Sequence, residues 1–124
     1  NQTLLGVMIE DAEGVEDVDA IAAVKGIDLL FLGPGDLSHS YGSIRDPGQP
    51  HLHAPVLAAY EKVGAACRAN GKVMGTAVHP GEEMAEAVKR GARWLNCCHE
   101  LRAVTEGFSK SLKGACEIVK EQGS

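Results

Sequence analysis

The sequence predicts an α/β domain whose parallel sheet is covered by helices. Four short apolar runs occur along the 124 residues, and each is followed by a segment with helical spacing. The runs lack clear polar–apolar alternation, which is typical of strands buried on both faces of a parallel sheet. Fifteen glycines and only 4% aromatic residues suit tight strand–helix turns. An open doubly wound sheet and part of a (β/α)₈ barrel both fit this order, and a complete barrel needs about 250 residues.

The first half of the chain predicts two strands and one intervening helix. Residues 4–10 (LLGVMIE) and 27–32 (IDLLFL) are short apolar runs, which indicate strands. Between them, residues 15–25 carry apolar side chains at helical spacing, and Gly26 fits a helix stop. We predict a polar connection at residues 38–54, which holds Pro47, Gly48 and Pro50.

The second half predicts three helices and two more strands. Pro55 opens a helix at residues 56–69, which Asn70-Gly71 closes. A strand at 72–78 leads to a helix from Pro80 to about residue 90, and another strand follows at 93–98. Residues 100–122 predict one long amphipathic helix. We call its apolar positions the C-terminal stripe: Leu101, Val104, Phe108, Leu112, Cys116 and Val119.

Composition excludes several classes of protein. A net charge of −5 argues against a nucleic-acid binder, because nothing neutralises phosphates in bulk. No apolar stretch approaches the roughly 20 residues that span a bilayer. The spacing of four cysteines fits neither a zinc ribbon nor a disulfide framework, so we predict reduced thiols in a cytoplasmic protein. The chain starts at Asn1, almost directly on a strand, which we interpret as a fragment or a processed product.

Two carboxylates follow consecutive strands. Glu10 ends the first strand and Asp36 comes just after the second, at the edge where parallel sheets place their chemistry. A pair so placed can share one Mg²⁺, which takes one or two carboxylates and keeps positions for waters and substrate. Two structural alternatives stay open: Asp36 caps a short helical turn, and Glu10 merely precedes the next helix.

The turn before Asp36 is suited to an anion. Glycines on both sides of Pro34 let backbone N–H groups approach a ligand closely. A small α-keto acid would place its carboxylate on these N–H groups and its keto oxygen on the metal. The residues therefore predict a pyruvate-like ligand beside the two carboxylates.

These motifs resemble the HpcH/HpaI aldolase family of the phosphoenolpyruvate/pyruvate-domain superfamily. The chain carries Ile9-Glu10, Gly26-Ile27-Asp28 and Gly33-Pro34-Gly35-Asp36-Leu37 in the family's order. The likeness is specific over about residues 5–42 and extends to about 105 through element order. It implies a TIM-type (β/α)₈ barrel, of which residues 1–124 form roughly the last four βα units as a single, incomplete domain.

The resemblance also implies an activity and a site. It implies a metal-dependent carbon–carbon lyase of the class II pyruvate aldolase type, which cleaves 2-keto-3-deoxy or 4-hydroxy-2-keto acids through an enolate. Glu10 and Asp36 would hold Mg²⁺ or Mn²⁺, and the backbone N–H groups of Gly35 and Asp36 would hold the pyruvate carboxylate. A homo-oligomer formed through the last helix is a further implication.

The chain departs from the family pattern in two respects. The family's general base, a histidine, and its charge-stabilising arginine lie on earlier strands than those present here, so no catalytic residue is assigned. The last strand of the family usually ends near an aspartate, where this chain has Cys98-His99-Glu100. The alternatives are therefore a non-catalytic half-barrel that depends on a partner chain, and a related CoA-ester lyase or decarboxylase.

Three further candidates carry weaker expectations. His51 and His53 form a metal clip or, as we expect, part of a solvated loop. His79 contacts substrate or simply precedes Pro80 in a turn. Cys97 and Cys98 should point to opposite faces of a strand, one of them into the core, and a Cys98–His99 nucleophile is the remaining alternative.

Overall fold

The structure, a computed structural model, describes residues 3–43 and 53–122. Its elements, in chain order, are β1 Gly6–Ile9, α1 Ala12–Glu16, α2 Val18–Ala23, β2 Leu29–Leu32, α3 Pro34–Ser40, α4 Ala54–Asn70, β3 Val73–Ala77, α5 Glu82–Lys89, β4 Ala92–Asn96 and α6 Glu100–Gln122. None of the helices in these two ranges combines the length and apolar character needed to cross a membrane.

The four strands form one parallel sheet in the order β1-β2-β3-β4. Strand order thus follows chain order, whereas a doubly wound sheet reverses its order at a switch point. Sequential order is the arrangement of a (β/α)₈ barrel. The predicted α/β class with a parallel sheet of TIM type is confirmed.

One face of the sheet packs against helices. Leu30, Leu32 and Met74 are buried there, together with Val63 of α4. Tyr60 of α4 also lies fully inside this core, and its hydroxyl is 2.5 Å from Thr76 Oγ1, which donates to the Leu32 carbonyl at 3.0 Å. The helix-covered face therefore holds the hydrophobic core.

The opposite face of the sheet is open. Met8, Phe31, Gly75 and Trp94 are neighbours across the four strands on this face. Met8 is 55% exposed and Trp94 is 49% exposed. In a closed barrel this face would point inward and be filled by side chains from all the strands.

The single helix predicted at residues 15–25 is wrong, because two short helices occupy this stretch. Asp11 caps α1 by accepting a hydrogen bond from Gly14 N, which starts the helix earlier than apolar spacing indicated. Asp17 (φ −89°, ψ 6°) then separates α1 from α2, and Val24 is already extended. Local polar capping therefore outweighed the hydrophobic period.

The connection predicted at residues 38–54 starts too early, because α3 continues to Ser40. Residues 44–52 of that connection lie outside the described part of the chain. The next helix, α4, begins at Ala54 with a proline in its first turn and ends at Gly71 in the left-handed region (φ 63°). The predicted long final helix, α6, is confirmed over Glu100–Gln122.

Candidate functional site

A cleft of about 380 Å³ lies at the carboxyl ends of the strands. Its volume is at the lower end of small-molecule sites. The cleft is lined by Met8, Phe31, Gly33, Pro34, Gly35, Asp36, Ala77, Val78, His79, Glu83, Asn96, Cys97, Cys98, His99 and Arg102. It therefore combines an apolar floor from the open sheet face with polar groups from the strand ends.

One wall of the cleft is the start of α3. Gly33 occupies the N-cap position, and Leu37 N donates to Gly33 O at 3.0 Å, which is the first bond of the helix. Gly35 and Asp36 lie in the first turn, where backbone N–H groups have no partner within the helix. Asp36 makes no side-chain cap bond, so the alternative that it serves as an N-cap is wrong.

Two contacts join α3 to its neighbours, and one lies within the helix. The buried Ser38 hydroxyl donates to Pro34 O at 2.7 Å and lies 2.9 Å from His53 Nε2. Because the hydroxyl proton is directed at Pro34, we assign the proton of the second bond to His53 Nε2. Ser40 Oγ accepts from Ala12 N at 2.9 Å. The helix that carries Asp36 is thus anchored to the starts of both α1 and α4.

His53 therefore anchors α3, a role that the sequence did not predict. The expectation that its surroundings are a solvated loop is wrong for this residue, which is half-buried at the N-cap of α4. His51, its proposed partner in a metal clip, lies outside the described residues. The clip alternative for the pair stays untested.

Glu10 lies against the same turn from the neighbouring strand. It follows the last residue of β1, and Ile9 pairs with Leu32. A Cβ atom on Gly33 would lie 3.1 Å from Glu10 Cβ and 3.3 Å from Glu10 Oε2. The half-buried Glu10 carboxylate thus occupies the space that the missing side chain of Gly33 leaves. Asp11, and not Glu10, caps the helix that follows.

Glu10 and Asp36 offer only carboxylate oxygens to a metal. The carboxylates of Glu10 and Asp36 accept no hydrogen bond and form no ion pair within residues 3–43 and 53–122. No group of three His, Cys, Asp or Glu side chains in these ranges is placed to hold a metal. An all-oxygen pair suits Mg²⁺ or Mn²⁺, which take remaining ligands from water and substrate. The metal assignment stays a prediction.

The opposite wall is cationic, and the sequence did not indicate it. Arg102 lies in the first turn of α6 and lines the cleft together with His79. Its NH1 group is 2.6 Å from His79 Nδ1, and its Nε donates to Glu106 Oε1 at 2.5 Å. The available signal was a basic residue a few positions after the last strand, which alone does not distinguish a cleft residue from a solvated one.

The cysteines differ from expectation. The strand β4 ends at Asn96, so Cys97 and Cys98 lie beyond it and strand alternation does not apply to them. Both are exposed and line the cleft, and the expectation that one is buried in the core is wrong. Cys98 Sγ lies 3.6 Å from the carbonyl oxygen of its neighbour His99 and makes no hydrogen bond to that ring within the described residues.

A parallel sheet in sequential order, with an amide-rich turn and Asp36 at its carboxyl edge, is the arrangement of a TIM-type (β/α)₈ barrel. The family model described as "HpcH/HpaI aldolase/citrate lyase" matches residues 1–105. The chain belongs to the HpcH/HpaI aldolase/citrate lyase family. The resemblance drawn from the motifs is confirmed.

Two curated relatives illustrate the likeness. A hydroxypyruvate/pyruvate aldolase of Pseudomonas aeruginosa is 41% identical over 70 residues, which cover 56% of this chain and 26% of that protein. A 5-keto-4-deoxy-D-glucarate aldolase of Enterobacter sp. (strain 638) is 30% identical over 116 residues, covering 91% of this chain and 43% of that protein. The chain therefore spans well under two thirds of these relatives.

Two solved structures share the fold. The HpcH/HpaI aldolase of Desulfitobacterium hafniense DCB-2 superposes with a TM-score of 0.78 at 35% identity, over 90% of this chain and 42% of that one. The citrate lyase beta subunit of M. tuberculosis, solved with oxaloacetate and magnesium, gives a TM-score of 0.64 at 21% identity, over 79% of this chain and 48% of that one. The second likeness shows the fold alone.

Proposed function

We propose that this chain supplies the metal- and pyruvate-binding part of a class II pyruvate aldolase. One observation carries the proposal: Glu10, which follows β1, lies against Gly33, which follows the neighbouring strand β2. Asp36 comes three residues after Gly33, so the two acids belong to the same amide-rich turn region. Curated relatives are named as aldolases that act on keto acids, which supports the same reaction class here.

The residues of this chain would bind and orient the keto acid. The N–H groups of Gly35 and Asp36, in the first turn of α3, would donate to the pyruvate carboxylate. The carboxylates of Glu10 and Asp36 would hold Mg²⁺ or Mn²⁺, as the oxygen donor set favours. A divalent ion so held supplies a Lewis acid for the keto oxygen.

We assign no general base within this chain. By the family resemblance, a histidine and an arginine for proton transfer and charge stabilisation belong to strands that precede β1. This chain therefore binds the pyruvate unit of a 2-keto-3-deoxy or 4-hydroxy-2-keto acid. The earlier strands of the barrel would supply the residues that transfer the proton.

Pyruvate release tests the proposal. When the N-terminal half-barrel is supplied as a second chain, together with Mn²⁺ and a 4-hydroxy-2-keto acid, Glu10→Gln and Asp36→Asn should each abolish metal-dependent pyruvate release. Glu13→Gln is the matched control, because Glu13 is an exposed acid in the first turn of α1. Retained activity in Glu10→Gln would remove Glu10 from the metal site.

The open sheet face supports a second candidate, a half-barrel that functions only with a partner chain. Met8 and Trp94 are about half exposed, and β1 and β4 are the edges of the described sheet. Bare edges and apolar faces are features that proteins normally cover. This candidate predicts no turnover until an N-terminal half-barrel is added; a monomeric chain that is active alone would contradict it.

The remaining partners follow from surface chemistry. We propose a homo-oligomer through the C-terminal stripe, whose side chains Leu101, Phe108 and Val119 are at least 70% exposed on α6. A net charge of −5 argues against nucleic acid as a partner. Three exposed cysteine thiols support placement in the cytoplasm, where thiols stay reduced.

A further inference from the structure

We propose that Arg102 is a specificity-determining residue that binds a second carboxylate of the substrate, at the end remote from the pyruvate unit. The proposal rests on the proposed function, because that function places the first carboxylate on the Gly35 and Asp36 amides. Arg102 lines the same cleft from α6, on the wall formed after β4. A keto diacid would thus be held at both ends.

The geometry of Arg102 fits a carboxylate ligand. A guanidinium carries five N–H donors in a planar fork that matches a carboxylate bidentately. Within the described residues, Nε donates to Glu106, and NH1 lies within hydrogen-bond distance of both nitrogens of the His79 ring. The remaining donors of the side chain have no protein partner in those ranges.

Arg102 is also available and permanently charged. Its side chain is 44% exposed, and its ion pair with Glu106 is a surface pair, which typically contributes little stability. A carboxylate ligand can therefore share or replace Glu106 at small cost. The hydrogen bond and charge of Glu106 raise the pKa of Arg102 above its ordinary value, so the side chain is cationic at any working pH.

The charge arrangement of the cleft favours this end for the second carboxylate. Asp36 lies on the α3 wall and Glu10 lies against Gly33 of the same turn, and these acids would repel a carboxylate unless a cation neutralises them. Glu83 of α5 also lines the cleft. On the β4–α6 side, the lining residues are neutral or basic, and Arg102 is the permanently cationic one among them.

Two keto acids of equal length test the assignment. 2-Oxoglutarate and 2-oxopentanoate share the pyruvate unit, and a terminal carboxylate in the first replaces a methyl group in the second. Calorimetric titration into the full 124-residue chain with Mn²⁺ should show roughly tenfold tighter binding of 2-oxoglutarate, as one charge-assisted contact supplies. In Arg102→Gln this ratio should fall to about one, with 2-oxopentanoate binding unchanged.

Two variants sharpen the comparison. Arg102→Lys keeps the charge without the fork, so part of the preference should remain. Lys110→Gln removes a positive charge elsewhere on α6 and should leave the ratio at its wild-type value. The same affinity ratio in Arg102→Gln and in the wild-type chain would overturn the proposal. Loss of binding of both keto acids in Asp36→Asn would test only the proposed function and not the role of Arg102.

A second measurement needs no metal and no keto acid. Cys98 is an exposed thiol in the same cleft, so its alkylation by anionic iodoacetate can be compared with alkylation by neutral iodoacetamide. The ratio of the two rates cancels changes in thiolate content. Arg102→Gln should lower this ratio at Cys98 and leave it unchanged at Cys116 on α6. If neither keto acid binds, the proposed function fails, and an unchanged ratio at Cys98 overturns the Arg102 assignment independently.

Discussion

At the scale of single residues, the absent side chain of Gly33 determines where the Glu10 carboxylate can lie. The backbone of Gly33 (φ −95°) is one that alanine adopts without strain. Added bulk would nevertheless meet Glu10 at 3.1 Å from its Cβ and 3.3 Å from Oε2. Substitution here therefore moves a carboxylate while it leaves the fold intact.

We predict that Gly33→Ala weakens Mn²⁺ binding about tenfold or more, because a displaced ligand loses its coordination geometry. Circular dichroism should show an unchanged fold. Gly107→Ala is the control, since a Cβ at this position of α6 meets no atom within 4 Å. Wild-type affinity in Gly33→Ala would show that the Glu10 carboxylate does not need this position.

The buried Tyr60 makes the stability of the fold depend on pH. Burial raises its pKa to about 12, and the nearby charge of Glu83 adds to this effect, while the hydrogen bond to Thr76 opposes it. The folded chain therefore favours the neutral phenol relative to the unfolded chain. This contribution is fully present below pH 10, the unfolded value, and is lost as the pH rises through 12.

We predict that absorbance at 295 nm will titrate in two steps in the folded chain, whose two tyrosines are Tyr41 and Tyr60. Tyr60→Phe should remove the later step near pH 12 and cost about 1 kcal/mol of unfolding free energy at pH 7, the usual net value of one hydrogen bond. A later step that survives in Tyr60→Phe would assign it to Tyr41 instead.

The residues of the site were predictable to different degrees. Glu10 and Asp36 were accessible from sequence because each follows an apolar strand within a spaced motif. The roles of Arg102 and of the Ser38–His53 contact were not accessible from the sequence. Arg102 contacts His79, which lies 23 residues earlier, and Ser38 contacts His53, which lies 15 residues later. Pairings of this kind depend on how helices pack, which no local spacing encodes.

At the scale of elements, Gly64 allows α4 to pack directly against the backbone at Arg90, just after α5. A Cβ on Gly64 would lie 2.4 Å from the backbone oxygen of Arg90. Helix α4 also supplies Tyr60 and Val63 to the core, so its position determines how the whole sheet face is covered. A glycine in mid-helix is unfavourable by itself, and close packing explains its presence here.

We predict that Gly64→Ala destabilises the chain by roughly 1–3 kcal/mol, because overpacking outweighs the better helix propensity of alanine. The urea midpoint of unfolding measures this. Gly114→Ala in α6 is the matched control, as its Cβ would meet nothing within 4 Å and should be neutral or stabilising. Equal midpoints for Gly64→Ala and the wild-type chain would show that the two segments separate readily.

Elements were predictable where periodicity and capping agree. The four strands and α6 followed from apolar runs and apolar spacing, and α4 also from the proline and glycine at its ends. The order of the strands in the sheet did not follow, because a doubly wound sheet and a barrel both fitted the sequence. The stretch 12–23 contains two helices because Asp11 caps α1 ahead of the apolar period and the backbone at Asp17 leaves the helical conformation inside that period. A hydrophobic pattern reports which face is buried and is insensitive to a single irregular residue.

At the scale of the whole molecule, two apolar surfaces have no cover within the described residues. One is the open sheet face with Met8 and Trp94, and the other is the C-terminal stripe on α6. The helix α6 has no buried residue at all in the described chain. We interpret the first surface as the interior of an incomplete barrel, and we propose that the second is a contact surface between copies of the chain.

We predict that the chain self-associates through α6. Sedimentation velocity should show an oligomer that dissociates in the double variant Phe108→Asp and Leu112→Asp, whose wild-type side chains are 76% and 67% exposed. Lys110→Asp is the control, because a residue two positions away lies on a different face of the helix. A monomeric wild-type chain at micromolar concentration would contradict the proposed interface.

The central claim is that Glu10 and Asp36 hold a divalent metal beside a keto-acid pocket. Its most direct test is calorimetric titration of Mn²⁺, with and without oxalate as a mimic of the pyruvate enolate. We expect oxalate to strengthen Mn²⁺ binding, and we expect both the metal affinity and this enhancement to vanish in Asp36→Asn. No Mn²⁺ binding by the wild-type chain, or oxalate enhancement that persists in Asp36→Asn, would contradict the claim.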